Sequence, residues 1–248
     1  MIPDILPRQV NRRIGRAMHD YGMLRDGDKV LVAVSGGVDS MVLAWLLAMW
    51  RAKAPIGYSV HAVNIDAGFW SPVSGTVRPA ESIAAQMAQF NIEFSIENGD
   101  FSGEGQRTCF TCSRQRRRQL FELARKGGYT KIALGHHKDD LVETLFLNML
   151  YSGNISTMVP RQDLFNGRLA LIRPLAYLEK NEVRLIARRV GIRPVENLCP
   201  LAGDTRRETV RNVLENVYRE VPGAKGSIFA SLANIRHDYI LKREPSGG

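Results

Sequence analysis

Ser35-Gly36-Gly37-Val38-Asp39-Ser40 lies where a strand pattern stops and a helix pattern starts. Before it, residues 29–34 (KVLVAV) form a short Val-rich run of the kind that makes a buried strand; after it, residues 41–50 (MVLAWLLAMW) are apolar nearly all round, as in a helix packed on more than one side. The two glycines let backbone approach a ligand closely, and the first N–H groups of the helix point at whatever lies there. Ser35 and Ser40 add hydroxyl donors, and Asp39 is placed to cap the helix or to hold magnesium. A Gly-x-x-x-x-Gly-Lys-Ser/Thr pattern is absent, so the loop carries no lysine to grip a γ-phosphate. The stretch therefore reads as a pyrophosphate cradle formed by Ser35, Gly36, Gly37, Asp39 and Ser40.

Further strands are expected at 58–65 (YSVHAVNI), 92–96 and 129–134, with helices at 80–90 and 113–126 between them. The fourth strand ends in Gly135-His136-His137-Lys138-Asp139-Asp140, and a helix follows at 141–150. This alternation predicts an α/β fold with a doubly wound parallel sheet, whose ligands sit at the carboxyl edge. Both polar junctions then fall on that edge. Ala62, Val63 and Asn64, at the end of the second strand, are placed to bracket adenine through their backbone, and Gly135 and His136 join them at the nucleotide. Asp139 or Asp140 would bind magnesium or move a proton, the plainer role being a helix cap.

Residues 7–22 read as an amphipathic helix with Arg8, Arg12 and Arg16 on its polar face, and residues 152–166 as loop. A short strand at 169–172 and a helix at 178–190 lead to an extended stretch at 193–200; helices follow at 205–221 and 226–241. The expected division is an N-terminal helical segment (1–28), a nucleotide-binding domain (29–178) with a cysteine loop at 99–113, and a C-terminal helical region (179–248). The 248 residues carry a net charge of +9, from 34 Lys and Arg against 25 Asp and Glu, which suits a polyanionic partner. Arg12, Arg16, Arg114, Arg117, Arg118, Arg207 and Arg211, with Arg8 and Arg116, are the candidate RNA-phosphate contacts. No run of about 20 uncharged apolar residues predicts a membrane span, and no apolar signal core opens the chain, so a cytoplasmic location is expected.

Three cysteines are an odd number for a disulfide framework, which turns attention to metal or redox chemistry. Cys109-Phe110-Thr111-Cys112 alone suits zinc, a redox dithiol or an iron–sulfur cluster. Cys199 raises the prospect of one shared site. With zinc, His136 or His137 would complete a Cys₃His set; with a cluster, one iron would stay open.

Taken in order, SGGVDS, CFTCSRQRRR, GHHKDDLVETLFLNML, LIRPLAY and NLC resemble the TtcA-type tRNA 2-thiocytidine synthetases of the PP-loop N-type ATP pyrophosphatase superfamily, over about residues 12–240. The resemblance implies an ATP- and Mg²⁺-dependent tRNA thiolase. Such an enzyme adenylates the C2 carbonyl of an anticodon-loop cytidine and replaces its oxygen by sulfur. It further implies a [4Fe-4S] cluster on Cys109, Cys112 and Cys199, with Zn²⁺ as the alternative occupant. The implied partners are tRNA and a sulfur donor, a cysteine desulfurase or free sulfide; a homodimer is compatible with it. The chain departs from many members in having Val38 for lysine, Glu196 for a further cysteine and a divergent loop after Asp66, and its lack of paired Cys-x-x-Cys zinc fingers at the termini separates it from the related 2-thiouridine thiolases. Three competing readings are a PP-loop enzyme adenylating another RNA or small-molecule carbonyl, a cluster-dependent desulfidase, and a non-catalytic RNA-binding metalloprotein.

Overall fold

The structure is a computed structural model and describes residues 6–70, 77–100, 108–196, 198–199 and 206–241. Its sheet has six strands: β1 (Asp28–Ala33), β2 (Tyr58–Asp66), β3 (Glu93–Asn98), β4 (Lys131–Ala133), β5 (Arg161–Leu164) and β6 (Leu169–Ile172). Their order is β3-β2-β1-β4-β6-β5, parallel throughout except for β5, which pairs antiparallel with β6. The order reverses between β1 and β4. A crevice therefore opens at their carboxyl ends, where an open α/β sheet binds its ligands.

Central strands must be apolar on both faces, and β1 is: Val30 and Val32 face one core, and Leu31 faces the other. The larger core is built with α1 (Arg8–Asp20), α2 (Val38–Arg51), α3 (Pro79–Gln89) and α6 (Lys180–Val190). In α2 every residue from Ser40 to Leu47 is buried, as its unbroken apolarity requires. The other face is covered by α4 (Cys109–Gly127) through Leu120 and Ala124. Helix α5 (Lys138–Ser152) starts at the sheet edge, and α7 (Arg206–Glu220), α8 (Ala224–Ser231) and a 3₁₀ turn at His237–Tyr239 close the chain.

Two compact units result, one of Met1–Asp140 with Met158–Asp204 and one of Leu141–Thr157 with Thr205–Gly248. This division differs from the expected boundaries near 28 and 178. Val10, Ile14 and Ala17 of α1 and Val183, Ile186 and Ala187 of α6 belong to the sheet's own core, so neither helix forms a separate layer. The second unit has its own small core of Val142, Val210 and Leu214, with Phe146, Tyr218 and Phe229 packed on it.

Local structure corrects the sequence reading at three places. Helix α4 starts at Cys109, not at residue 113, because Thr108 and Thr111 cap it reciprocally: the Thr111 amide donates to the Thr108 hydroxyl at 3.2 Å and the Thr108 amide donates to the Thr111 hydroxyl at 2.9 Å. The polar stretch Arg161–Leu164 is an edge strand, not loop. Its pairing comes from a tight return in which Phe165, Asn166 and Gly167 all take positive φ. Helix α8 ends at Ser231, well short of residue 241, where the Ser231 hydroxyl donates to Ile228 and the Asn234 amide to Ala230.

Candidate functional site

The PP-loop turn is held by its own hydroxyls. The Ser35 amide donates to Ser40 Oγ at 3.1 Å, and Ser40 Oγ donates to the Gly37 carbonyl at 2.9 Å. Gly36 sits at φ +86°, a conformation side chains rarely adopt, and its carbonyl accepts from the Val195 amide at 3.0 Å. The second junction lies against the first: a Cβ on Gly135 would come 2.8 Å from the Ser40 amide nitrogen and 2.9 Å from the Asp39 carbonyl carbon. Two motifs nearly a hundred residues apart thus meet backbone to backbone.

Around that contact three carboxylates surround one buried imidazole. His137, 1% exposed, has ring nitrogens 3.7 Å from Asp39, 3.5 Å from Asp139 and 3.4 Å from Asp140, within ion-pairing reach but in no hydrogen-bond geometry. Asp140 accepts from the His137 amide at 3.0 Å, and Asp139 accepts from the Lys180 amide at 2.8 Å, so both also serve helix starts. Lys180 Nζ lies 3.6 Å from Asp39, which brings to the loop a lysine that the loop itself lacks. Asp39 Oδ1 is buried with no hydrogen-bond donor. That orphaned acceptor fits a magnesium ion shared with phosphates, since magnesium commonly takes one or two carboxylates and fills its shell with phosphate oxygens and water. Among the described residues no three His, Cys, Asp or Glu side chains form a closed metal-binding set.

A cavity of about 470 Å³ opens over these groups. Ser35, Gly37, Asp39, Ser40, Val63, Asn64, Gly135, His136 and Asp140 line it. Ala62, Gly36 and Asp139 do not; strand alternation turns Ala62 into the larger core. The Asn64 side chain donates to the Val34 carbonyl at 2.7 Å and the Val63 carbonyl accepts from the Val34 amide at 2.8 Å, so both knit β2 to the loop entrance. Sequence reasoning missed Phe69 and Trp70, which also line the cavity; the Trp70 indole N–H is buried without an acceptor. Adjacent aromatics just past the end of β2 were the available signal.

Helix α4 supplies the facing wall through Ser113, Arg116, Arg117, Leu120 and Phe121. Cys112 and Cys109 lie one turn earlier on the same helix, four residues before Arg116 and Ser113. They occupy the first turn of α4. Cys112 is buried and Cys109 exposed. From the other side Val195, Glu196 and Leu198 line the cavity, and Cys199 follows at once, half-buried. That segment is clamped: Gln86 accepts from the Arg193 amide at 2.9 Å and donates to the Arg193 carbonyl at 3.0 Å, beside the Val195–Gly36 bond. The cavity lining thus reaches Ser113, next to Cys112, and Leu198, next to Cys199; three thiols are a donor set suited to an iron–sulfur cluster, although they are not drawn into a closed ligand set.

Residues 6–217 match the PP-loop domain family. The tRNA-cytidine(32) 2-sulfurtransferase of Geobacter sulfurreducens is 36% identical over 249 residues, covering 98% of this chain and 96% of that protein. The chain belongs to the tRNA-cytidine(32) 2-sulfurtransferase family. A second member, from Pseudomonas fluorescens, is 37% identical over 250 residues, covering 96% of this chain and 88% of that protein. The fold is that of the U34-tRNA thiolase NcsA from Methanococcus maripaludis, solved with its [4Fe-4S] cluster. The two superpose with a TM-score of 0.73 at 21% identity over 94% of this chain and 80% of that one.

In this 2-sulfurtransferase family member the arginines divide into groups. Arg116 and Arg117 line the cavity, and Arg114 is exposed beside them. Arg118 pairs with Glu122 at 3.2 Å and Arg16 with Asp20 at 3.4 Å, both exposed. Arg8 and Arg12 lie on the exposed face of α1. Arg207 and Arg211 converge on buried Glu143 at 3.2 and 3.0 Å, which gives them a structural task inside the second unit. No helix among the described residues is long and apolar enough to cross a membrane.

Proposed function

We propose that this protein is an ATP-dependent tRNA 2-sulfurtransferase that adenylates the C2 carbonyl oxygen of a cytidine in the anticodon loop and replaces that oxygen by sulfur. The observation that carries the reading is the meeting of the SGGVDS turn, the Asp39–His137–Asp140 group and helix α4, whose first turn carries Cys109 and Cys112, around one cavity in a chain of this family. A carbonyl oxygen leaves poorly, so it must first be made part of a better leaving group. The Ser35–Ser40 turn is built to hold the departing pyrophosphate by backbone N–H groups and hydroxyls, and Asp39 Oδ1 would hold a magnesium ion that neutralises its charge. Phe69 and Trp70 offer stacking faces for a base, and Arg116 and Arg117 face phosphate. Sulfide then adds at C2, the C2–O bond breaks, and AMP leaves with the oxygen. The products are 2-thiocytidine, AMP and pyrophosphate.

A [4Fe-4S] cluster on Cys109, Cys112 and Cys199 would supply an iron position at which that sulfide is held. The chain's part is to place those thiols within a few ångströms of the activated carbon, because sulfur must be in reach to attack. Phe110, between the paired cysteines and 74% exposed, gives an arriving RNA base an aromatic surface. The proposal also takes tRNA as the partner and sulfide, free or delivered by a cysteine desulfurase, as the sulfur source. The test is an anaerobic reaction with tRNA, ATP and sulfide, in which AMP, pyrophosphate and thiolated cytidine should appear in equal amounts. AMP release without thiolation, or thiolation without AMP, would contradict it.

A further inference from the structure

Arg173 follows β6 directly and is 5% exposed. Burial, reinforced by the nearby Arg117 charge, holds its guanidinium down to about 10. The acceptors that bind it are both neutral: its Nε–H donates to His136 Nδ1 at 3.2 Å, and a terminal N–H donates to the Val159 carbonyl. No attraction to a carboxylate offsets its burial. Buried cations are ordinarily paired, because taking a charge out of water without a counterion is costly.

The hydrogen bond to His136 has a definite polarity. Arginine only donates, so Nδ1 must offer a lone pair, and the ring is then neutral with its proton on Nε2. His136 lines the nucleotide cavity on the β4 side of the topological switch point, across from the PP-loop on the β1 side, and Arg117 lines the same cavity. Arg117 and His136 thus line the cavity, and buried Arg173 holds His136 from outside that lining. We infer that Arg173 is a positioning residue: it locks His136 as an Nε2–H donor, which with Arg117 makes a subsite for a phosphoryl oxygen. On the adenylation reading, which this inference rests on, the group is the phosphoryl that stays with adenosine while the PP-loop keeps the pyrophosphate. Charge develops there as the bond to pyrophosphate breaks, and a donor fixed in advance stabilises it.

The test uses full-length protein with ¹⁵N-labelled histidine, the His136 ring signals being identified by their loss in His136→Gln. Wild type should show a single Nε2–H tautomer whose resonance shifts when AMP is added. In Arg173→Met the ring should become a tautomer mixture, and kcat for AMP release should fall about 10²-fold with little change in KM for ATP. Should Arg173→Met fold poorly, Arg173→Lys, which keeps the charge but loses the Nε donor, should show the same mixture. A wild-type ring protonated at Nδ1, no response to AMP, or an unchanged tautomer and kcat in the variants would overturn the inference. A protein with the expected tautomer and AMP response that forms no AMP with any tRNA would instead contradict the adenylation reading and leave the coupling of Arg173 to His136 standing.

Discussion

Replacing Gly135 by alanine sets a methyl carbon 2.8 Å from the Ser40 amide nitrogen and 2.9 and 3.0 Å from the carbonyl carbon and oxygen of Asp39. Ordinary contact for such a carbon begins at 3.4 Å, so the two strand-to-helix junctions must part by about 0.6 Å. All three obstructing atoms are backbone, and no side chain can turn aside. Overpacking of this kind costs about 1–3 kcal/mol. The displacement falls between Asp39 on one junction and His136 and Asp140 on the other, where a shift of about 1 Å costs on the order of 10²-fold in rate. Gly135→Ala should therefore lower kcat for tRNA-dependent AMP release by about ten- to a hundredfold and lower the thermal midpoint. Gly226→Ala is the control, because a Cβ there meets nothing within 4 Å. Wild-type kcat and midpoint in Gly135→Ala would refute the claim that the two junctions form one machine.

Three further outcomes follow from other parts of the structure. Asp39→Ala removes the orphaned Oδ1 acceptor and should abolish AMP formation while leaving the iron content of anaerobic protein unchanged; normal AMP release would remove Asp39 from the mechanism. Burial would raise the Asp28 carboxyl, but hydrogen bonds from Lys131 at 2.9 Å and Thr130 at 2.7 Å hold it below its ordinary 3.8. A lowered carboxylate stabilises the fold above its unfolded value and loses that contribution as pH falls through the folded one, so stability should drop below about pH 4. Asp28→Ala strands a buried Lys131 and should cost about 3–5 kcal/mol in urea unfolding at pH 7; a loss below about 1 kcal/mol would show that the pair is dispensable. Binding of tRNA should weaken steeply with salt, and Arg117→Gln should reduce the log–log slope by about 0.7 to 0.9, whereas Arg207→Gln should leave it unchanged because Arg207 is held on Glu143.

The sheet and both polar strand-to-helix junctions were legible because they depend on local chemistry. A Val-rich run, two glycines and an apolar helix specify a strand, a turn and a packed helix without reference to anything distant. What escaped the sequence were contacts between remote segments made by ordinary residue types. Gln86 clamping Arg193, Lys180 reaching Asp39 and Arg173 holding His136 each join residues more than thirty positions apart, and none carries a local pattern. The cysteine loop was misread for a different reason: arginines and glycines around residue 110 masked a cap formed by two threonines. Arg207 and Arg211 look like any basic helix face until the burial of Glu143 is known.

The central claim is that this chain puts sulfur on C2 of a tRNA cytidine. Nucleoside analysis by mass spectrometry of tRNA from cells with and without the gene tests it most directly. The account predicts 2-thiocytidine in tRNA only when the wild-type protein is present, and its loss in cells carrying Cys109→Ala, Cys112→Ala or Cys199→Ala. Unchanged 2-thiocytidine without the protein, or its absence with the protein present, would contradict it.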